Sequence, residues 1–252
     1  MIIGKGLLAR AFEPHFGRDS SVTVFASGVS NSLETRPVEF ERERLLLCQL
    51  LDSDAKRFIY FGSCGVTAAA SELTPYMKHK KSMESLVLSS PNGLVLRLPQ
   101  VVGKTDNHHT LTNFLRDRIV SGEHFTVWAH AERNLVDIDD IVSIGVELAT
   151  AATGDAKLVS IAAMKSLLMP EIVVIFERTL RRRANYSTVD LGGPLEIDTT
   201  VAREVSRRLG IDLGDGYIES VINKYYAIDE CPGANINTPE FDISSDKPNP
   251  LK

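Results

Sequence analysis

Short apolar runs rich in β-branched and aromatic residues alternate with amphipathic stretches of ten to fifteen residues through the first hundred positions of this chain. A strand, a helix and a second strand pack as a parallel pair joined by a right-handed crossover, and repeated units build a doubly wound α/β sheet with helices on both faces. The first run, residues 1–4, precedes a helix pattern with Leu7, Leu8, Phe12 and Phe16 at helical spacing. Residues 22–27 and 57–61 form the next strands, separated by an amphipathic helix over 39–51. A helix over 75–89 carries Tyr76, Lys80, Met83 and Val87, and the run GLVLRL at 93–98 supplies a further strand. Beyond Gly103 the regularity loosens into helices near 111–120, 170–180 and 200–209 and strands near 125–129 and 158–162. The expected organisation is one α/β unit over 1–165, a small irregular lobe over 166–228, and a tail over 229–252. That tail sets Pro232, Pro239, Pro248 and Pro250 among polar residues and is expected to be disordered or draped over the surface.

Composition excludes several function classes. At 252 residues the chain can bury a full core, and no apolar run approaches the roughly 20 residues that a membrane helix needs. A net charge of -5 disfavours nucleic acid as a partner. The N-terminus lacks the charged, apolar and small-residue regions of a secretory signal, so a cytoplasmic location is expected. The three cysteines, Cys48, Cys64 and Cys231, share no CxxC spacing, which argues against a disulfide framework and a zinc site. His108 and His109 lack acidic or thiolate partners at ligand spacing, and no metal is expected. The run Arg181–Arg183 at a helix end caps carbonyls rather than marking a binding site.

Three groups of residues carry chemistry. Gly4, Gly6 and Ala9 lie between a strand and a helix, where glycines allow close approach and the helix N-terminus offers free N–H donors to a pyrophosphate; a plain tight turn is the other reading. Tyr76 and Lys80 stand i, i+4 on one helix face. An ammonium beside a phenol stabilises phenolate and makes its proton mobile, although a helix aromatic beside a solvated lysine fits the same pattern. Ser63 ends the third strand, at the edge where open parallel sheets bind ligands, with a hydroxyl that can meet a carbonyl or alkoxide.

Taken together, RFIYFGSCGV (57–66), PYMKHK (75–80), LRLPQVVG (96–103) and RNLVDIDDI (133–141) resemble four ordered motifs of the extended short-chain dehydrogenases/reductases, the nucleotide-sugar epimerase/dehydratase group. The resemblance spans roughly residues 1–150. It implies a Rossmann-like sheet that binds NAD or NADP and a nucleotide-sugar substrate, with Ser63, Tyr76 and Lys80 as the catalytic set. It implies cofactor contacts from Gly4, Lys5, Gly6, Leu7, Leu8, Ala26, Ser27, Tyr76, Lys80, Leu98 and Pro99. Substrate contacts fall to Ser63, Gln100 and Asn113, and to Arg133, whose planar fork suits a diphosphate. A surface ion pair of Arg133 with Glu132 or Asp137 is the competing reading. A homodimer is a further expectation of the resemblance.

The chain departs from that pattern in one place. Only residues 17–21 separate the first helix from the strand ending in Ala26 and Ser27, where the family places two more strands and helices. The strand whose terminal acid would hold the adenosine ribose is missing. Nothing acidic remains there to reject a 2′-phosphate, and Lys5 and Arg10 flank the glycine turn, so NADP is favoured over NAD. Two functions follow: an epimerase, reductase or dehydratase of a nucleotide-activated sugar, or a binding or regulatory module that kept the fold with weakened dinucleotide affinity.

Overall fold

A computed structural model describes residues 1–52, 55–68, 73–151 and 156–228. The N-terminal half runs β1 (Ile2–Ile3), α1 (Leu7–Phe16), β2 (Val22–Phe25), α2 (Pro37–Leu51), β3 (Arg57–Ser63), α3 (Pro75–Ser89), β4 (Gly93–Leu98) and β5 (Gln100–Val102). Next come α4 (Leu111–Ser121), β6 (Phe125–Trp128), β7 (Glu132–Arg133), β8 (Leu135–Asp137), α5 (Ile138–Thr150) and β9 (Leu158–Ser160). Last are β10 (Leu167–Leu168), α6 (Met169–Leu180), β11 (Tyr186–Val189), α7 (Thr200–Arg208) and α8 (Tyr217–Tyr226). The tail expectation and Cys231 lie outside the described residues. Among the described residues no helix is long and apolar enough to cross a membrane.

Five strands form one parallel sheet in the order β1-β2-β3-β4-β9. Alternation along each strand sorts its side chains between two cores. Ile59, Phe61, Leu94 and Leu96 face a large core with α1 and α5, whereas Phe58, Tyr60 and Val95 face a smaller one with Leu47 of α2 and Met83 and Val87 of α3. α1 and α5 thus cover one face and α2 and α3 the other, so both faces of the sheet are covered. Tight packing sets the first face: a Cβ on Gly145 of α5 would lie 2.9 Å from the Phe12 ring of α1.

The shortened adenine side is visible in the strand order. β1 is an edge strand, paired to β2 through Ile2 with Val24 and Ile3 with Phe25, and among the described residues nothing pairs with its outer side. The path of α1 to one face and α2 to the other puts the switch point between β1 and β2, where loops diverge and ligands bind.

After β4 the chain makes short pairings: β5 with β8, β7 with β10, and β6 with β11. The larger core continues through Ile141 and Ile172 to Val221 and Tyr226, so α6 and α8 share it with the sheet. A polar cluster fastens α8 to the start of α5. Lys224 Nζ donates to Asp137 at 2.6 Å, the Tyr225 hydroxyl donates to the other Asp137 oxygen at 2.7 Å, and the Tyr217 hydroxyl donates to Asp140 at 2.6 Å.

Candidate active site

The C-terminal ends of β1 to β4 bring the glycine turn, the loop after β2, the Ser63 turn and Pro99 to one edge of the sheet. Gly4 has φ +129°, a conformation that suits glycine, and a Cβ there would lie 2.4 Å from the Ala26 carbonyl oxygen. The end of β1 therefore rests directly on the Ala26–Ser27 peptide. Gly6 is the N-cap of α1 and makes no side-chain cap, and a Cβ on it would meet nothing within 4 Å. Open room faces free helix N–H groups, which suits a phosphate. Lys5 and Arg10 are exposed beside the turn, with Arg10 Nη1 donating to the Lys5 carbonyl at 3.4 Å. Leu7 packs towards Gly103, and Leu8 lies against the large core.

Ser63 and Tyr76 meet. Ser63 ends β3 and caps the following turn by accepting from the Gly65 N–H at 3.3 Å. Its hydroxyl also acts on the Tyr76 phenol, favouring the ionised form. Thr74 caps α3 by accepting from the Met77 N–H, and Pro75 follows at the first helical position, so Tyr76 sits in the first turn at a fixed place. Burial first, and the Glu43 charge next, push the Tyr76 phenol up to about 12.

The Lys80 ammonium is bonded to three groups. Its nitrogen donates to the Tyr60 hydroxyl at 2.9 Å, the Phe61 carbonyl at 3.2 Å and Glu43 Oε1 at 3.3 Å, and among the described residues no hydrogen bond joins it to Tyr76. Helical spacing aligns the Cβ atoms of Tyr76 and Lys80, and the Glu43 carboxylate of α2 is among the groups that hold the ammonium. Burial pulls the ammonium below the usual lysine range while Glu43 opposes the shift.

Glu43 was not singled out from the sequence. Its signal was a carboxylate on the stripe that also holds Phe40, Leu47 and Leu50, spaced for the buried face of α2. It accepts from the Val29 N–H at 2.6 Å and the Tyr60 hydroxyl at 2.8 Å, and lies 3.0 Å from His79 Nε2. A second buried pair lies beneath the Ser63–Cys64 turn, where Glu84 accepts from Arg97 at 2.8 Å and Gly62 leaves room for the carboxylate.

The expected substrate residues fare unequally. Gln100 opens β5, and its N–H donates to the Asn134 carbonyl at 3.0 Å, so Gln100 lies beside the strand segment that follows Arg133. Arg133 is half-buried and donates to the Glu132 carbonyl at 2.7 Å. Neither acid of the competing ion-pair reading engages it: Glu132 accepts from the Leu195 N–H, and Asp137 is taken by Lys224 and Tyr225. Burial lowers the guanidinium pKa. Asn113 is a correction. It is buried in α4 and gives its amide hydrogens to the Thr105 and Asn107 carbonyls, while its oxygen accepts from the Tyr226 hydroxyl at 2.8 Å, leaving it committed to the loop and to α8. Leu98 is buried at the end of β4, and Pro99 follows it on the sheet edge.

Solved structures share this arrangement over most of their length. UDP-N-acetylglucosamine 4-epimerase from Methanobrevibacter ruminantium, in complex with UDP-N-acetylmuramic acid, superposes with a TM-score of 0.65 at 16% identity, covering 88% of this chain and 79% of that one. The chain has the Rossmann-type α/β fold of this epimerase. Two more structures with this fold match similarly. UDP-glucuronic acid 4-epimerase from Bacillus cereus, bound to UDP-glucuronic acid and NAD, gives 0.66 at 14% identity, covering 88% and 77%. dTDP-glucose 4,6-dehydratase from Bacillus anthracis, bound to NAD, gives 0.65 at 13% identity, covering 87% and 75%. No protein-family profile matches the sequence, and no curated protein matches it significantly.

Proposed function

We propose that the protein is a nicotinamide-nucleotide-dependent enzyme acting on a nucleotide-activated sugar, with Tyr76 as its proton-transfer group. The observation that carries this reading is the placement of Ser63 at the end of β3 and Tyr76 in the first turn of α3, with Ser63 acting on the phenol, beside a glycine turn with open room for a phosphate. A bound nicotinamide ring would supply or accept the hydride; the chain's own groups bind, orient and move the proton. The free N–H groups of α1 and the exposed Lys5 and Arg10 favour a phosphorylated cofactor, NADP before NAD, with Gly4 holding the turn against Ala26 and Ser27. Arg133, without a carboxylate partner among the described residues, would take the substrate diphosphate, and Gln100 beside it would face the substrate. Ser63 would hydrogen-bond the reacting oxygen while Tyr76 exchanges a proton with it. The structural neighbours bind UDP-sugars and NAD, which supports this class of substrate and cofactor without choosing a member.

A second reading, a binding module without turnover, is favoured by one observation: the Lys80 ammonium is committed to Glu43, Tyr60 and Phe61. Turnover of keto-sugar nucleotides with NADPH by the wild type, lost in Tyr76→Phe, separates the two.

A further inference from the structure

A cleft of about 490 Å³ opens between β10, α6 and the start of α8. Its apolar lining comes from Leu167 of β10, Pro170, Val174 and Ile175 of α6, and Ile218 of α8. Pro170, Val174 and Arg178 follow one another at steps of four, so they form one row along α6. That row leads into a second hollow of about 240 Å³, lined by Val174, Glu177, Arg178 and the run Arg181–Arg183. Val174 lines both spaces and is 43% exposed. The two spaces thus make one groove, apolar at one end and basic at the other.

The arginines at the basic end are only partly engaged by carboxylates. Arg178 pairs with Glu219 at 3.1 Å, and Arg183 reaches Glu177 at 3.4 Å with its side chain 94% exposed. Arg182 donates to an uncharged group, the Val120 carbonyl of α4, at 2.7 Å. A guanidinium carries five N–H donors, more than these bonds occupy, and its fork suits a carboxylate.

We infer that this groove holds a segment of the same chain, residues 240–243, with Phe241 and Ile243 in the apolar cleft and Glu240 and Asp242 against Arg182 and Arg183. The segment lies outside the described residues, and its sequence carries the match. Acid and apolar residues alternate through Glu240, Phe241, Asp242 and Ile243, so an extended chain turns the two apolar side chains one way and the two carboxylates the other. Residues 229–252 hold five acids against two lysines, a charge opposite to that of the arginine run. The path is long enough. Tyr226, at the end of α8, packs its ring 5.2 Å from that of Phe176, so the chain leaves the described structure against the helix that carries the groove. The twelve residues from Ile228 to Glu240 can span up to about 40 Å, whereas the 12 residues of α6 run about 18 Å. Tethering supplies an effective concentration on the order of millimolar, so an affinity of only about 0.1 mM keeps the segment docked about nine-tenths of the time.

The test is amide hydrogen exchange of the whole 252-residue chain, read by mass spectrometry on peptides covering 238–246. Exchange there is expected to be about tenfold slower in the wild type than in Phe241→Ser with Ile243→Ser, which leaves every described residue unchanged. Val174→Asp, and separately Arg182→Glu with Arg183→Glu, alter exposed side chains of the groove and are each expected to restore fast exchange. Adding Glu240→Arg and Asp242→Arg to the arginine reversal is expected to slow it again. Should Val174→Asp fail to fold, the arginine reversal and its rescue carry the test. Wild-type exchange as fast as that of the Phe241→Ser, Ile243→Ser protein would overturn the inference, and so would slow exchange that the groove variants leave unchanged. Slowing that grows with protein concentration would overturn it as well, because it would put the segment of a second copy in the groove.

Discussion

Truncating Glu43 to alanine tests how strongly the buried pair holds the fold. The variant leaves the Lys80 ammonium, whose side chain is 6% exposed, with only the Tyr60 hydroxyl and the Phe61 carbonyl. It also leaves the Val29 N–H without its acceptor. Removing one partner of a buried ion pair costs about 3–5 kcal/mol, against a total stability of about 5–15 kcal/mol for a typical domain. With a urea slope of about 3 kcal/mol per molar, the unfolding midpoint is expected to drop by about 1–1.7 M. Glu43→Gln with Lys80→Met removes both charges and is expected to cost less than the truncation, since neutral replacement of a buried pair is often tolerated. Urea unfolding followed by far-UV circular dichroism measures both. A loss below about 1 kcal/mol in Glu43→Ala would refute the reasoning, because it would mean that Lys80 reaches water or sheds its proton at little cost.

Acid should weaken the fold through the same residue. Burial alone would raise the Glu43 carboxyl, but His79, Lys80, Val29 and Tyr60 overcome it and hold it at about 2 against an ordinary 4.5. A depressed carboxyl stabilises the fold above its unfolded-state value, and that contribution, about 3 kcal/mol, drains away as pH falls from 4.5 through 2; thermal unfolding that is insensitive to pH in this window would contradict it. Gly4→Ala should cost at least about 1–2 kcal/mol of backbone strain from φ +129°, besides driving a methyl into the Ala26 carbonyl, and should weaken NADPH binding at least tenfold; unchanged binding would contradict the placement of the phosphate turn.

Much of the fold was legible because local and global signals agreed. Thr74, Pro75 and the apolar spacing of Met83 and Val87 mark α3, and the run from Gly93 to Leu98 marks β4, so both elements have the expected bounds. The missing strands were legible from the brevity of residues 17–21, and β1 is indeed an edge. The pairings β5 with β8 and β7 with β10 were not, since strands of two or three residues carry no periodicity and exist only through tertiary partners. α8 was missed as well: its Ile218, Val221 and Ile222 follow Gly216 at helical spacing, but polar and aromatic residues break up the stripe. At the candidate site, the Ser63–Tyr76 meeting follows from a strand end and a capped helix start. The direction of Lys80 does not, because it depends on a carboxylate 37 positions earlier in the chain.

The central claim is that a bound nicotinamide cofactor and Tyr76 act together. The most direct measurement is therefore made on one pair of proteins, wild type and Tyr76→Phe, with NADPH binding and NADPH oxidation by keto-sugar nucleotides recorded side by side. The account expects both proteins to bind NADPH saturably and only the wild type to turn over. Substantial turnover by Tyr76→Phe, or no NADPH binding by either protein, would contradict it.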